Sequence, residues 1–177
     1  MANSKLTPKQ LADKWRTLPS KFAVNVFNFE TLIGAAAVDI FKWSFKLRKF
    51  NSTGQAPWPS RHDGRSHPLL YLNGDLYTSI KVKKNAPKHQ VTIYTDDSEF
   101  FNSPTDPHKW GARVNKNRDY GFVYASIHNM GGRDSGATGN AAFIKKRQFI
   151  GHSTVLDSKM NYYSNMIFSG FHKTFEQ

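Results

Sequence analysis

The sequence predicts an α+β domain, with a long N-terminal helix and a C-terminal helix packed on a small, mainly antiparallel sheet and joined by long loops. Three observations lead there. From Phe22 to Leu47 apolar residues recur at alternating steps of four and three, which places them on one helical stripe. Residues 76–83 and 90–95 alternate apolar and polar on either side of a turn, as two paired strands do. After Ser153 the apolar spacing becomes helical again.

At the N-terminus, Thr7-Pro8-Lys9-Gln10 combines an N-cap, a proline at the first helical position and a capping-box glutamine. A short helix is expected to run to about Thr17 and to end at Pro19, so residues 1–19 read as an arm and 20–177 as a single domain. In the second helix Phe22, Val26, Phe29, Ile33, Ala36, Ile40, Trp43 and Leu47 form the stripe. Phe27, Phe41 and Phe45 widen it on one side, so the helix is expected to pack under a sheet and against a neighbouring subunit. At about 1.5 Å per residue it would span roughly 39 Å.

Residues 51–68 are rich in glycine and proline and read as a loop anchored by Trp58. The hairpin follows, joined across residues 84–87, with Ile80, Val82, Val91 and Ile93 on one face. Residues 96–119, with Trp110, are a long excursion from the sheet. Residues 120–130 suit a short helix ended by Gly131-Gly132, and the glycines of 131–140 suit a flexible interface arm. Ser153 can cap a last helix carrying Leu156, Met160, Tyr163, Ile167 and Phe171. No internal repeat is present.

Composition limits the function classes. With 38% hydrophobic and 14% aromatic residues, 177 residues suffice for a sizeable core. Lys and Arg number 25 against 13 Asp and Glu, so a net charge of +12 attracts polyanions, either nucleic acid or acidic protein neighbours. The absence of cysteine removes disulfides, thiolate metal sites and cysteine nucleophiles. Residues 1–16 lack the apolar core of a secretory signal, and the apolar run 32–38 stops at Asp39, so neither secretion nor a membrane partner is expected.

The seven histidines show no HxxxH or HExxH spacing, no GxSxG elbow is present, and the 131–139 glycines lack a GK[ST] ending. No catalytic, cofactor or metal residue is therefore assigned; the rival enzymatic reading would use His128 with Asp119 or Asp134. Lys81, Lys83, Lys84 and Lys88 make a basic hairpin, either a phosphate contact or a solvated strand edge protected from aggregation. Lys145, Lys146 and Arg147 could clamp a neighbour's carboxylate.

Taken in order, four stretches carry a resemblance. Leu32-Ile33-Gly34 with Phe41 and Phe45, followed by Trp58-Pro59-Ser60 within 54–60, resembles the N-terminal half of the phage virion morphogenesis family, where a helix precedes a G-x-x-W-x-x-l type loop. Residues 70–80, read Leu70-Tyr71-Leu72-Asn73-Gly74-Asp75-Leu76-Tyr77-Thr78-Ser79-Ile80, are similar to its L-x-x-T-G-x-L-x-x-S-I, with Asn73 in place of threonine. Tyr124-Ala125-Ser126-Ile127-His128-Asn129-Met130-Gly131 is similar to Y-A-x-x-H-x-x-G, and Arg147-Gln148-Phe149-Ile150-Gly151 to R-x-F-x-G before a final helix. The resemblance covers about two thirds of the chain; it departs in the N-terminal arm, in the long 96–119 connection and at Lys146, where a proline is usual.

The resemblance implies a structural virion protein of the phage neck or tail, assembled in the host bacterial cytoplasm. It would form a homo-oligomeric ring between the head connector or stopper protein and the tail tube or tail terminator protein, without a cofactor and without turnover. DNA in the lumen is a further candidate partner. Alternatives are a tail terminator or other minor tail subunit, or a basic DNA-binding packaging protein. The residues expected at subunit or partner contacts are Trp58, Tyr77, Trp110, Tyr124, His128, Arg147 and Phe149.

Overall fold

The computed structural model describes residues 6–60, 70, 74–96, 125, 128–133 and 143–174. Its first element, α1, is one helix from Pro8 to Leu47. Its start follows the local code: the Thr7 side chain accepts from the Gln10 N–H, the Gln10 side chain accepts from the Thr7 N–H, and Pro8 occupies the first position. The expected break at Pro19 does not occur. A proline removes one i to i−4 hydrogen bond, but here it lies on an exposed surface where water can reach the backbone, and the 40-residue helix passes through it. The arm and the first part of the domain are thus continuous.

The buried face of α1 differs from the stripe read in the sequence. Ile33, Ala37, Ile40, Phe41 and Phe45 enter the core, with Glu30, Gly34 and Ser44 beside them. Phe22, Trp43 and Leu47 are exposed. The burial axis is rotated toward the Phe41 and Phe45 side because the rings that complete the core lie there. By length and composition α1 is also long and apolar enough to cross a membrane, since averaging over a longer window dilutes the charge at Asp39; 33% of that window is buried inside the protein.

The end of α1 is closed by its own continuation. Arg48 turns left-handed at φ 52°, and its N–H bonds the Ser44 carbonyl. Asn51 Nδ2 donates to the Ile40 carbonyl at 3.2 Å, and the Asn51 N–H donates to Ser44 Oγ at 3.0 Å. The Arg48 bond satisfies one of the carbonyls that a helix end leaves open, and the two Asn51 bonds hold the returning chain against α1, with the Phe50 and Phe41 ring centroids 6.2 Å apart. The Trp58 N–H then reaches the Arg48 carbonyl at 2.7 Å.

Gly74, at φ 80°, feeds a helical turn α2, Asp75–Thr78, so the segment expected to begin as strand at 76 begins as helix. Leu76 and Ile80 are buried. Strand β1, Ile80–Asn85, pairs antiparallel with β2, Gln90–Thr95, across a 3-10 turn at Ala86–Lys88. The register sets Val82 opposite Ile93 and Lys84 opposite Val91, so the predicted apolar face forms and packs on α1. At that contact a Cβ on Gly34 would lie 2.9 Å from Val82 Cγ2 and 3.3 Å from Val91 Cγ1. Glycine lets the hairpin approach that closely.

A second two-stranded pair joins β3, Gly132–Arg133, to β4, Phe143–Ile144, so the edges of the expected flexible arm are laddered. Residues 134–142 and the excursion 97–119 lie outside the described residues. The last helix, α3, runs Thr154–Ser164 with Ser153 as its N-cap. It ends earlier than the apolar spacing suggested: Ile167 and Phe171 lie in successive turns that run to a 3-10 segment at His172–Thr174. These turns lie along α1, with Asn25 Nδ2 donating to the Ile167 and Ser169 carbonyls at 2.9 and 3.1 Å.

Candidate functional site

Among the described residues, the most convergent constellation is built around Phe45. The Trp58 ring meets it edge-on at 5.7 Å, Tyr77 edge-on at 5.8 Å and Phe149 tilted at 5.3 Å. Helix α1, the loop after it, α2 and the 147–151 segment each contribute one ring. Phe149 is 1% exposed and Trp58 7%, so both rings fill the chain's own core and offer almost no surface for an outside contact. Tyr77 is half-buried, with the Lys42 ammonium 5.2 Å from its ring centroid.

Hydrogen bonds tie the same segments together. Trp58 Nε1 donates to the Gln148 carbonyl at 2.9 Å. Arg147 aims Nε and one terminal nitrogen at the Pro59 carbonyl, both at 3.3 Å, which draws its guanidinium inward to the Trp58 loop. Its N–H donates to the His128 carbonyl at 2.8 Å, placing half-buried His128 beside this segment. Asn129, which sequence reasoning did not single out, is the central link. Its Oδ1 accepts from the Phe149 and Ile150 N–H groups at 2.8 and 3.0 Å, while Nδ2 donates to the Ile150 carbonyl at 3.0 Å. An asparagine beside a helix-ending glycine is an ordinary turn signal, so its long-range partners left no mark in the sequence.

A second stitch holds the start of α3. Ser153 Oγ donates to the Asn51 carbonyl at 2.5 Å, and the Thr154 and Thr53 backbone N–H groups bond Ser52 Oγ and Thr154 Oγ1 at 3.1 and 2.9 Å. Beside it Thr53, Thr154, Val155, Ser158, Lys159 and Tyr162 line an open depression of about 410 Å³. Trp110 and Tyr124 lie outside the described residues.

The four hairpin lysines do not act as one patch. Alternation puts Lys81 and Lys83 on the outer face and sends Lys84 toward α1. Lys81 bridges Asp96 at 2.8 Å. Lys84 donates to Thr31 Oγ1 at 2.6 Å and lies 3.8 Å from the Phe27 ring centroid. Lys83 and Lys88 are exposed. At the turn, left-handed His89 brings Nδ1 within 2.9 Å of Glu30 Oε1, a carboxylate only 5% exposed on α1. This bond pins the hairpin tip to the helix and accounts for a buried acid in an apolar face.

Among the described residues no group of three or more His, Asp or Glu side chains is placed to hold a metal ion. What the constellation does chemically is to lock four distant segments into one rigid unit. Comparison of the chain with protein-family models, with curated proteins and with solved structures gives no match.

Proposed function

We propose that this chain is a structural subunit of a tailed-phage particle, in the neck or at the tail-completion position, and that it works by binding and not by turnover. The observation that carries the reading is the convergence of the resembling stretches. Phe45, Trp58-Pro59, Leu76 to Ile80, His128-Asn129 and Arg147 to Ile150 are scattered along the sequence, yet they form one ring cluster and one hydrogen-bond net. Their meeting in one core supports reading them together. Each alone would be ordinary packing.

On this reading many copies form a ring that contacts the head connector or stopper on one side and the tail tube or terminator on the other. A tail terminator or another minor tail subunit would use the same core. The DNA-packaging reading is less well supported, because two of the four hairpin lysines are bonded within the chain, Lys81 to Asp96 and Lys84 to Thr31.

Electron microscopy with mass determination, on the protein alone and mixed with particle extract lacking it, tests the proposal. Closed rings that restore head–tail joining are the expected result. A persistent monomer that never joins particles refutes it, and strong DNA binding by that monomer would favour packaging.

A further inference from the structure

From the amphipathic character of the first fifteen residues of α1 and the aromatic turns beside them, we infer that this end of the molecule docks flat on an anionic lipid surface. The site is a face that the fold leaves exposed. Leu11, Trp15, Leu18 and Phe22 follow steps of four, three and four, which aligns them on one side of α1 over roughly 16 Å. Trp15 is 59% exposed, Leu11 40% and Phe22 43%. Lys14 and Lys21 lie on one flank of the stripe, and Lys9 and Arg16 lie on the opposite face, where Arg16 bonds Asp13 at 3.3 Å. Apolar and aromatic residues on one face with lysine and arginine on the other are what a helix lying in a membrane interface requires.

Two features select this occupant. The chain carries a net charge of +12, so a second copy meets long-range repulsion where an anionic surface meets attraction. A protein groove suited to a single helix would accept a narrow seam, but here the apolar surface broadens off the helix. Phe168, 65% exposed, lies 6.1 Å from Phe22 and 5.8 Å from Phe171, and Lys21 ties Thr174 of the same turns to α1 at 2.7 Å. A rod and a second segment beside it make a broad platform with exposed Lys173 at its margin, which suits a plane better than a cleft. The apolar edge would enter the headgroup boundary by about 5–10 Å without spanning it.

The inference is independent of the virion proposal, and the two tests fail separately. The full-length protein is sedimented with vesicles of phosphatidylglycerol and phosphatidylcholine in equal parts, and with vesicles of phosphatidylcholine alone. Binding at least about tenfold stronger to the anionic vesicles is expected, weakening with salt. The double variant Leu11→Glu, Trp15→Glu changes exposed positions, so its fold is checked by an unaltered melting curve; it should lose at least about tenfold in vesicle binding, while Trp15→Phe keeps most of it. No binding to anionic vesicles overturns the proposal. So does binding that the double variant leaves unchanged, which would be attraction of the net charge alone. A dimer in sedimentation velocity that the double variant dissolves, with no vesicle binding, would assign the face to a second copy.

Discussion

Replacing Gly34 by alanine sets two effects of known size against each other. In a helix interior alanine is favoured over glycine by about 1 kcal/mol. Here, however, the new methyl would lie 2.9 Å from Val82 Cγ2 and 3.3 Å from Val91 Cγ1. Both are β-branched, so neither can swing aside within its preferred rotamers, and relief requires the hairpin to lift from α1. Overpacking of this kind costs about 1–3 kcal/mol, and the net effect is a loss of up to about 2 kcal/mol. At roughly 2–4 °C per kcal/mol for a chain of this size, Gly34→Ala should lower the melting temperature by a few degrees. The second arm of the experiment is decisive. In a Val82→Ala background the nearest contact is gone, so the same Gly34→Ala change should become neutral or stabilising, by up to about 1 kcal/mol. Urea denaturation of the four proteins measures this cycle. A stabilising Gly34→Ala in the natural background, or a destabilisation that Val82→Ala leaves untouched, would refute the close approach of hairpin to helix.

Asn129→Ala strips the acceptor from two backbone N–H groups and the donor from the Ile150 carbonyl at once and should cost about 2–3 kcal/mol in urea denaturation. Phe149→Ala removes a ring that is 1% exposed and should cost about 3–5 kcal/mol in urea denaturation, a large share of an ordinary total stability of about 5–15 kcal/mol. Trp58→Phe keeps most of the apolar bulk but leaves the Gln148 carbonyl without its donor; a loss of about 1–2 kcal/mol is expected by thermal melting. Lys84→Met should cost no more than about 1 kcal/mol, since it removes the ammonium from Thr31 and the Phe27 ring while keeping the aliphatic stem.

Signals confined to a few neighbouring residues were legible in the sequence and were enough to define the α+β class. Thr7, Pro8 and Gln10 fix the start of α1, Ser153 fixes the start of α3, and the alternation of Ile80, Val82, Val91 and Ile93 fixes which side of the hairpin turns inward. Each depends on periodicity or on a cap that closes within one turn. Tertiary structure decided the remainder. The spacing of α1 allowed more than one burial axis, and the rings of Phe50, Trp58, Tyr77 and Phe149 selected the one through Phe41 and Phe45. Pro19 reads as a stop only if the helix has nothing to gain beyond it. Trp58, Arg147 and Phe149 carry the residue types of contact hot spots, but their partners are other parts of this chain. Glu30 and Asn129 show the same limit: a buried acid and a turn asparagine acquire their roles from His89 and from the Phe149 backbone, 59 and 20 residues away. Local spacing encodes which face an element can bury, and only the packed chain brings together the distant groups that decide what that face meets.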